Sequence, residues 1–188
     1  MNDEKFTQLR LLAYNNIEHA VDAKVEKDPR LATMGCDRYN QTLLHTACIG
    51  RNITNVQDLV KRKANVKQRD IFGCDALMYA SISGCTHIIE FLLSRGADMT
   101  ARDNIGSTAL GCAAMYNELS ACKFLISRGS DLMAKNKHGM TALDLYGKNC
   151  SLIKEDREKY CTELRALFAE GPHPSQVQRR ADLLALNV

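Results

Sequence analysis

The sequence has no apolar run that could cross a bilayer and no segment typical of a secretory signal peptide. Its longest wholly apolar runs are only a few residues, whereas a spanning helix needs about 20. Near the amino terminus, Asp3, Glu4, Lys5 and Arg10 interrupt the apolar positions, so no signal-peptide core is expected. These absences predict a protein of the cytoplasm, with the nucleus as an alternative.

Paired-cysteine motifs are also missing. The chain has eight cysteines but no CxxC pair, which disfavours a zinc ribbon or a thioredoxin-like site. A disulfide framework is disfavoured too, because such frameworks belong mainly to short secreted chains. We therefore expect reduced, mostly buried thiols.

Signatures of catalysis and of cofactor binding are absent from the sequence. There is no P-loop, no dinucleotide-binding glycine motif, no nucleophile elbow and no HExxH motif. His45 and Cys48 are three residues apart, but a structural histidine is the better interpretation. Cys74, Cys85 and His87 are poor metal ligands, because an intervening helix would hold the two cysteines on the order of 13 Å apart. The sequence predicts no enzyme, no cofactor, no metal and no small-molecule substrate.

Strong charge of one sign is lacking. The net charge of +3 is small for 188 residues, and a nucleic-acid binder would be expected to concentrate basic residues on one face. One basic run, residues 61–69, is compatible with a nuclear-localisation signal or a nucleic-acid contact. A solvated repeat edge explains that run more simply, so nucleic acid is disfavoured as a partner.

What the sequence does contain is a repeat. Four residues, each 33 positions apart, open a similar phrase: Asp37, Asp70, Asp103 and Asn136. The phrases are DRYNQTLLHTA, DIFGCDALMYA, DNIGSTALGCA and NKHGMTALDLY. A fixed period in this range is typical of stacked supersecondary units, and the length suits a single array.

Each position of the phrase has a structural reason. A turn position that favours positive φ is occupied by Asn40, Gly73, Gly106 and Gly139. Two residues later come good helix N-caps, namely Thr42, Asp75, Thr108 and Thr141. An apolar face follows at Leu44, Leu77, Leu110 and Leu143, and continues three residues later at Ala47, Ala80 and Ala113.

A second helix follows in each of the first three units. Its apolar face comprises Val56, Ile89 and Cys122, then Leu59–Val60, Leu92–Leu93 and Leu125–Ile126. Gly96 and Gly129 stand where a left-handed residue ends a helix. Lys63 occupies the same place in the first unit, which predicts a strained or differently capped turn.

These phrases resemble the ankyrin repeat, whose motif runs D-x-x-G-x-T-P-L-H-x-A and later L-L-x-x-G-A-D. Residues 42–47 and 92–98 match it most fully, although Leu43, Ala76, Ala109 and Ala142 replace its proline. The resemblance covers residues 37–147. It implies an all-α solenoid of helix-turn-helix units that recognises another protein, and it implies that His45 stabilises its turn through hydrogen bonds.

The repeat divides the chain into six predicted parts. They are an N-terminal helical cap (1–36), three repeats (37–69, 70–102 and 103–135), a fourth repeat that contains an insertion and a capping helix (136–171), and a C-terminal tail (172–188). The insertion covers residues 149–156 and the capping helix residues 155–170. Altered terminal repeats are expected, because the first and last repeats of a solenoid each have one stacking face that meets water and not another repeat.

The resemblance implies a concave binding surface made of turn tips and of the exposed face of each first helix. We call one set of candidate contacts the tip column: Tyr39, Ile71, Phe72, Ile105 and His138. We call the other set the inner-helix column: Ile49, Ile82, Met115 and Tyr116. Large apolar side chains at exposed positions usually indicate a protein-binding site. The alternative is that they pack on neighbouring repeats.

Basic residues form two further columns. The helix-end column comprises Arg62, Arg95 and Arg128, and the turn-base column comprises Arg69, Arg102 and Lys135. Nearby aspartates could neutralise them, or the columns could orient a partner with an acidic patch. The sequence thus predicts a protein-binding scaffold or adaptor. The second hypothesis is an electrostatic binder of nucleic acid or anionic membrane.

Overall fold

The structure, a computed structural model, describes residues 10–15, 25, 27–35, 38–146, 162, 165 and 166. Its named elements are a 3-10 helix, Pro29–Ala32, and seven α-helices: α1 (Leu43–Ile49), α2 (Ile53–Lys61), α3 (Ala76–Ile82), α4 (Thr86–Ser94), α5 (Ala109–Met115), α6 (Leu119–Ser127) and α7 (Ala142–Leu145). Within the described ranges the β-pairing is limited to an isolated bridge between Gly35 and Thr42. The predicted all-α class is confirmed.

The first helix of each unit begins at the predicted cap. The side chains of Thr42, Asp75, Thr108 and Thr141 each accept a hydrogen bond from the backbone N–H three residues later. These bonds satisfy an N–H that has no partner within the helix.

The turns before these helices share one hydrogen-bonding pattern. The Oδ1 atom of Asp70 accepts from the N–H groups of Phe72 and Cys74, both at 2.9 Å. Asp103 and Asn136 make the equivalent pairs of bonds in the next two turns. Positive φ is present at all four predicted turn positions, Asn40, Gly73, Gly106 and Gly139.

The helices stack in two layers. The inner helices contact one another in sequence, α1 to α3 to α5 to α7, while α2, α4 and α6 pack on the inner helix of their own unit and on each other. Ala47, Ala80 and Ala113 are fully buried, and their small side chains permit close approach of the two layers. The core residues predicted on the second helices, Val56, Ile89 and Cys122, are fully buried as well.

Backbone hydrogen bonds join consecutive turns at their tips. The N–H of Ile71 donates to the carbonyl of Tyr39 at 3.0 Å, and the N–H of Asn104 donates to the carbonyl of Phe72 at 2.9 Å. Lys137 donates to the carbonyl of Ile105 at 2.8 Å in the same way. These bonds fix the tips relative to one another, so side chains on successive tips keep a constant spacing.

Part of the predicted N-terminal cap is described and docks on the first unit. Residues 10–14 are helical. Asn55 Nδ2 donates to the carbonyl of Leu12 at 3.3 Å, and Asn52 Nδ2 donates to the carbonyl of Asn15 at 3.2 Å. The predicted insertion, capping helix and tail lie outside the described residues, except for residues 162, 165 and 166, which are helical.

The backbone at Lys63 has the strain that its position predicts. Its φ is +68°, whereas Gly96 and Gly129 occupy the equivalent positions with φ of +84° and +90°. A left-handed conformation costs a residue with a Cβ roughly 1–2 kcal/mol. We expect Lys63→Gly to raise the free energy of unfolding by about 1 kcal/mol in urea denaturation.

The reverse exchange provides the matched control. Gly96→Lys should lower the free energy of unfolding by about the same amount, since no heavy atom lies within 4 Å of a Cβ built at Gly96 and only the backbone is strained. Equal stability of Lys63→Gly and the unmodified chain would show that this turn carries no strain.

Candidate functional site

The tip column exposes several large apolar side chains in the described turns. Phe72 is 52% exposed and Ile71 is 51% exposed, and Ile105 continues the column. The rings of Tyr39 and Phe72 stack with their centroids 5.7 Å apart. The guanidinium of Arg38 lies 4.8 Å from the centroid of Tyr39. The tips therefore pack on one another along one edge and still offer large apolar surfaces to solvent.

The inner-helix column is less exposed than the sequence suggests. Ile49, Ile82 and Met115 are half-buried and pack against the core. Tyr116 is 51% exposed. The prediction that the whole column faces outward is therefore only partly correct, because stacking of the inner helices covers part of each aliphatic side chain.

A chain of polar contacts, which sequence reasoning missed, links the first helical residues to the second turn. Arg10 Nη2 donates to Gln41 Oε1 at 3.3 Å, and Gln41 Nε2 donates to the hydroxyl of Tyr79 at 2.6 Å. That hydroxyl donates to Asp70 Oδ2 at 2.6 Å. Asp70 also accepts from the N–H of Phe72. This series of hydrogen bonds therefore fixes the backbone of the exposed Phe72 tip.

The equivalent position at the last described junction lacks this chain. Leu145 occupies the place of Tyr79, 66 residues later. Ser107 Oγ and Asn136 Nδ2 are buried there and find no hydrogen-bond partner among the described residues. Asp70 in the second turn therefore accepts a side-chain hydrogen bond that Asn136 in the fourth turn does not replace.

The turn-base column is anchored to the backbone. Arg69 Nη1 donates to the carbonyl of Arg102 at 2.7 Å. Arg102 Nη1 donates to the carbonyls of Gly106 and Lys135 at 2.7 and 2.8 Å. Arg69, Arg102 and Lys135 are all exposed, so the remaining donors of both guanidinium groups are accessible to solvent.

The helix-end column lies elsewhere, at the ends of the outer helices. Arg95 lies over the ring of Phe91, 4.9 Å from its centroid, and Arg128 lies over Phe124 at 4.8 Å. Arg128 also forms an ion pair with Glu90, and Arg62 is half-buried. The two basic columns are therefore separate surfaces, and the helix-end residues already have intramolecular contacts.

Comparison with known families agrees with this geometry. Residues 9–103 match a family model described as ankyrin repeats (three copies), and residues 105–137 match one described as ankyrin repeat. The chain belongs to the ankyrin-repeat family. Ankyrin repeats are in general modules of protein–protein interaction. The search of curated proteins found no match.

The ankyrin histidine has the structural role that the resemblance implies. His45 is fully buried, and its Nδ1 atom accepts from the N–H of Thr42 at 3.1 Å. The ring therefore carries its proton on Nε2, which lies 3.0 Å from the carbonyl of Gln68 and donates to it. Both ring nitrogens are engaged, and burial raises the pKa of the Cys48 thiol far above its usual value. The pair is arranged for packing and not for nucleophilic attack.

The thiols described in the ankyrin units are free: Cys48, Cys74, Cys85, Cys112 and Cys122. Burial raises the pKa of Cys74 and of Cys122 to about 12. Such thiols stay protonated near neutral pH and react slowly. In the part of the chain that the structure describes, no three His, Cys, Asp or Glu side chains form a metal-binding group. No described helix is long and apolar enough to span a bilayer.

Asp75 replaces the threonine that caps the first helix of the other units. Burial raises the pKa of its carboxyl group, although the N–H of Met78 donates to it. The folded protein therefore binds this proton more tightly than the unfolded chain. The contribution of Asp75 to the free energy of unfolding therefore falls as the pH rises from the pKa of the unfolded chain, about 3.9, through the raised pKa of the folded protein.

We expect Asp75→Thr to keep the cap and to remove this pH-dependent loss. The variant should be more stable than the unmodified chain at neutral pH, and its advantage should disappear below about pH 3.9. Urea unfolding measured across the acid range tests this. An advantage that does not change with pH would mean that the charge of Asp75 is not its cause.

Proposed function

We propose that this ankyrin array is a scaffold or adaptor that binds a partner protein through the tip column and the inner-helix column. The observation that carries the proposal is the exposure of Ile71, Phe72, Ile105 and Tyr116. Apolar and aromatic side chains of this size are typical anchors of protein interfaces. Because the tips are already fixed by backbone hydrogen bonds, little order must be gained on binding.

The second candidate is an electrostatic binder of nucleic acid or anionic membrane. The exposed guanidinium groups of Arg69 and Arg102 favour it. The contacts of Arg95 and Arg128 with aromatic rings and with Glu90 weaken it. Binding to RNA, DNA or anionic vesicles that falls steeply with salt concentration would distinguish this candidate from the first.

We also propose that the protein has no catalytic activity and works in the cytoplasm, with the nucleus as an alternative. The engaged ring of His45 supports the first point. The free thiols of the described residues support the second, because reduced thiols are typical of these compartments. For the domain organisation we propose the division given above, in which the first complete unit begins at Asp37. The three-copy family match begins at residue 9, within the predicted cap.

Charge substitutions at the two most exposed aromatic positions test the proposed surface. Phe72→Glu and Tyr116→Glu, alone and together, should abolish co-purification of the partner from cell lysate. Their melting temperatures should stay near that of the unmodified chain, because both side chains are about half exposed. Lys123→Glu, on the exposed face of α6, is the matched control and should keep binding.

The outcomes separate the alternatives. Loss of the fold in Phe72→Glu would mean that the tip is part of the core. A folded double variant that still binds its partner would mean that the partner contacts another surface.

A further inference from the structure

The turn-base arginines are fixed in position before any partner arrives. Arg69 Nη1 donates to the carbonyl of Arg102, at the base of the following turn, at 2.7 Å. Arg102 Nη1 donates to the carbonyl of Gly106 in its own turn at 2.7 Å and to that of Lys135, at the base of the following turn, at 2.8 Å. A guanidinium group has five N–H donors, so most of them remain for a ligand. Anchoring removes part of the side-chain entropy cost of binding.

The aspartates beside these arginines are directed inward. The Oδ1 atoms of Asp70 and Asp103 accept backbone N–H groups of their own turns, and Asp70 is buried. The exposed charged residues of the described turn tips and bases are basic: Arg38, Arg69, Arg102, Lys135 and Lys137. A positive edge thus runs beside the apolar tip column.

An exposed acidic residue, Asp98, lies near this edge. Asp98 is exposed, and its pKa is lowered mainly by hydrogen bonds from Thr100 and, to a lesser extent, by the charges of Lys67 and Arg69. Its carboxylate therefore lies within the electrostatic range of the turn-base column, where it would repel an acidic ligand.

The spacing of the column restricts the conformation of a ligand. The inner helices contact their neighbours directly, and packed helices are about 8–10 Å apart, so equivalent backbone positions of successive repeats are separated by about this distance. In a polyproline II segment, residues three apart share one side and are about 9 Å apart. In a β-strand, residues on one face are about 7 Å apart, which does not fit this interval.

We propose that the partner presents an extended segment with a three-residue repeat, in which carboxylates face Arg69 and Arg102 and apolar side chains face Phe72 and Ile105. This inference rests on the proposed function and specifies the chemistry of its partner. A peptide is favoured over a nucleic acid because the surface includes the exposed aliphatic side chains of Ile71 and Ile105 beside one stacked ring pair. Stacking on bases would require more exposed aromatic rings.

The test uses fluorescence anisotropy with the full chain and synthetic peptides. The probe is a labelled peptide of tandem Glu-Pro-Leu triplets. The comparison peptides are tandem Gln-Pro-Leu, a rearranged peptide in which all glutamates are adjacent, and an acidic peptide with a helical seven-residue repeat. A labelled oligouridine is the nucleic-acid probe. We expect the Glu-Pro-Leu peptide to bind most tightly.

Variants of the chain then locate the contact. Arg69→Gln and Arg102→Gln should each weaken peptide binding about tenfold, and Lys123→Gln on the outer helix should not change it. Asp98→Asn removes the repelling carboxylate and should strengthen peptide binding. This variant still tests the inference if an arginine variant fails to fold. Binding of the Glu-Pro-Leu peptide should also weaken as salt rises from about 50 to about 200 mM.

Several results would overturn this inference. They are tighter binding of Gln-Pro-Leu, of the helical peptide or of oligouridine, no effect of Asp98→Asn, or no measurable binding of any peptide. If the cellular partner is still lost on Phe72→Glu in those cases, the proposed binding surface stands and only the acidic segment is wrong. If the partner is retained by Phe72→Glu, the proposed function itself fails.

Discussion

Leu92→Ala should lower the free energy of unfolding by about 2–5 kcal/mol, the usual cost of a large cavity in a packed core. Leu92 lies on α4 and is fully buried, with 0% of its surface accessible to solvent. It lies in the middle of the stack, where α4 packs on α3, α2 and α6. In a short array each repeat depends on its neighbours, so the loss can unfold the whole chain.

The neighbouring residue gives the control for this measurement. Leu93 is half-buried, so Leu93→Ala removes the same atoms with less loss of packing. We expect its effect to be clearly smaller in urea denaturation followed by circular dichroism. An effect of Leu92→Ala below about 1 kcal/mol, as for ordinary surface substitutions, would contradict the packing of α4 described here.

The second large effect is expected at the polar chain behind the Phe72 tip. Asp70→Ala removes the acceptor of two backbone N–H groups at 2.9 Å and of the Tyr79 hydroxyl at 2.6 Å. Donors that stay buried without a partner cost about 1–3 kcal/mol each. Relaxation of the turn lets some of them reach water, so we expect a total loss of about 2–4 kcal/mol.

Two less severe variants identify which bonds matter. Asp70→Asn keeps an Oδ1 acceptor for the turn, as Asn136 does in the fourth unit. Tyr79→Phe removes only the hydroxyl and should cost about 1 kcal/mol. If Asp70→Ala were no more destabilising than Tyr79→Phe, the hydrogen bonds inside the turn would contribute nothing measurable to stability.

The local features of the fold could be predicted because each depends on a few adjacent residues. The helix caps, the turn glycines and the end of each second helix follow from side chains that satisfy or permit a particular backbone conformation. The 3-10 helix was missed, although Asp28 followed by Pro29 is a helix-start signal in the sequence. Positive φ also occurs at the equivalent residues Arg51, Gly84 and Asn117. It was not predicted at Arg51 and Asn117, because of the three only Gly84 is a glycine.

The features that depend on how repeats stack could not be predicted. Gln41 and Tyr79 are 38 residues apart in sequence, and no pattern within one repeat relates them. The burial of Ile49, Ile82 and Met115 is likewise set by the adjacent inner helix. The exposed tips were predicted correctly as turns, but the anchoring of Arg69 and Arg102 became apparent only from their distances to the next turn.

The backbone bonds between consecutive tips have a consequence for how such a chain can change length. The turns that begin at Asp70 and Asp103 each give one N–H to the turn before and offer one carbonyl to the turn after. Any internal unit therefore presents the same backbone N–H and the same carbonyl to its neighbours. A duplication or deletion of one 33-residue segment would restore every tip bond without a compensating substitution. The number of units, and with it the length of the exposed edge, can vary independently of the residues that line it.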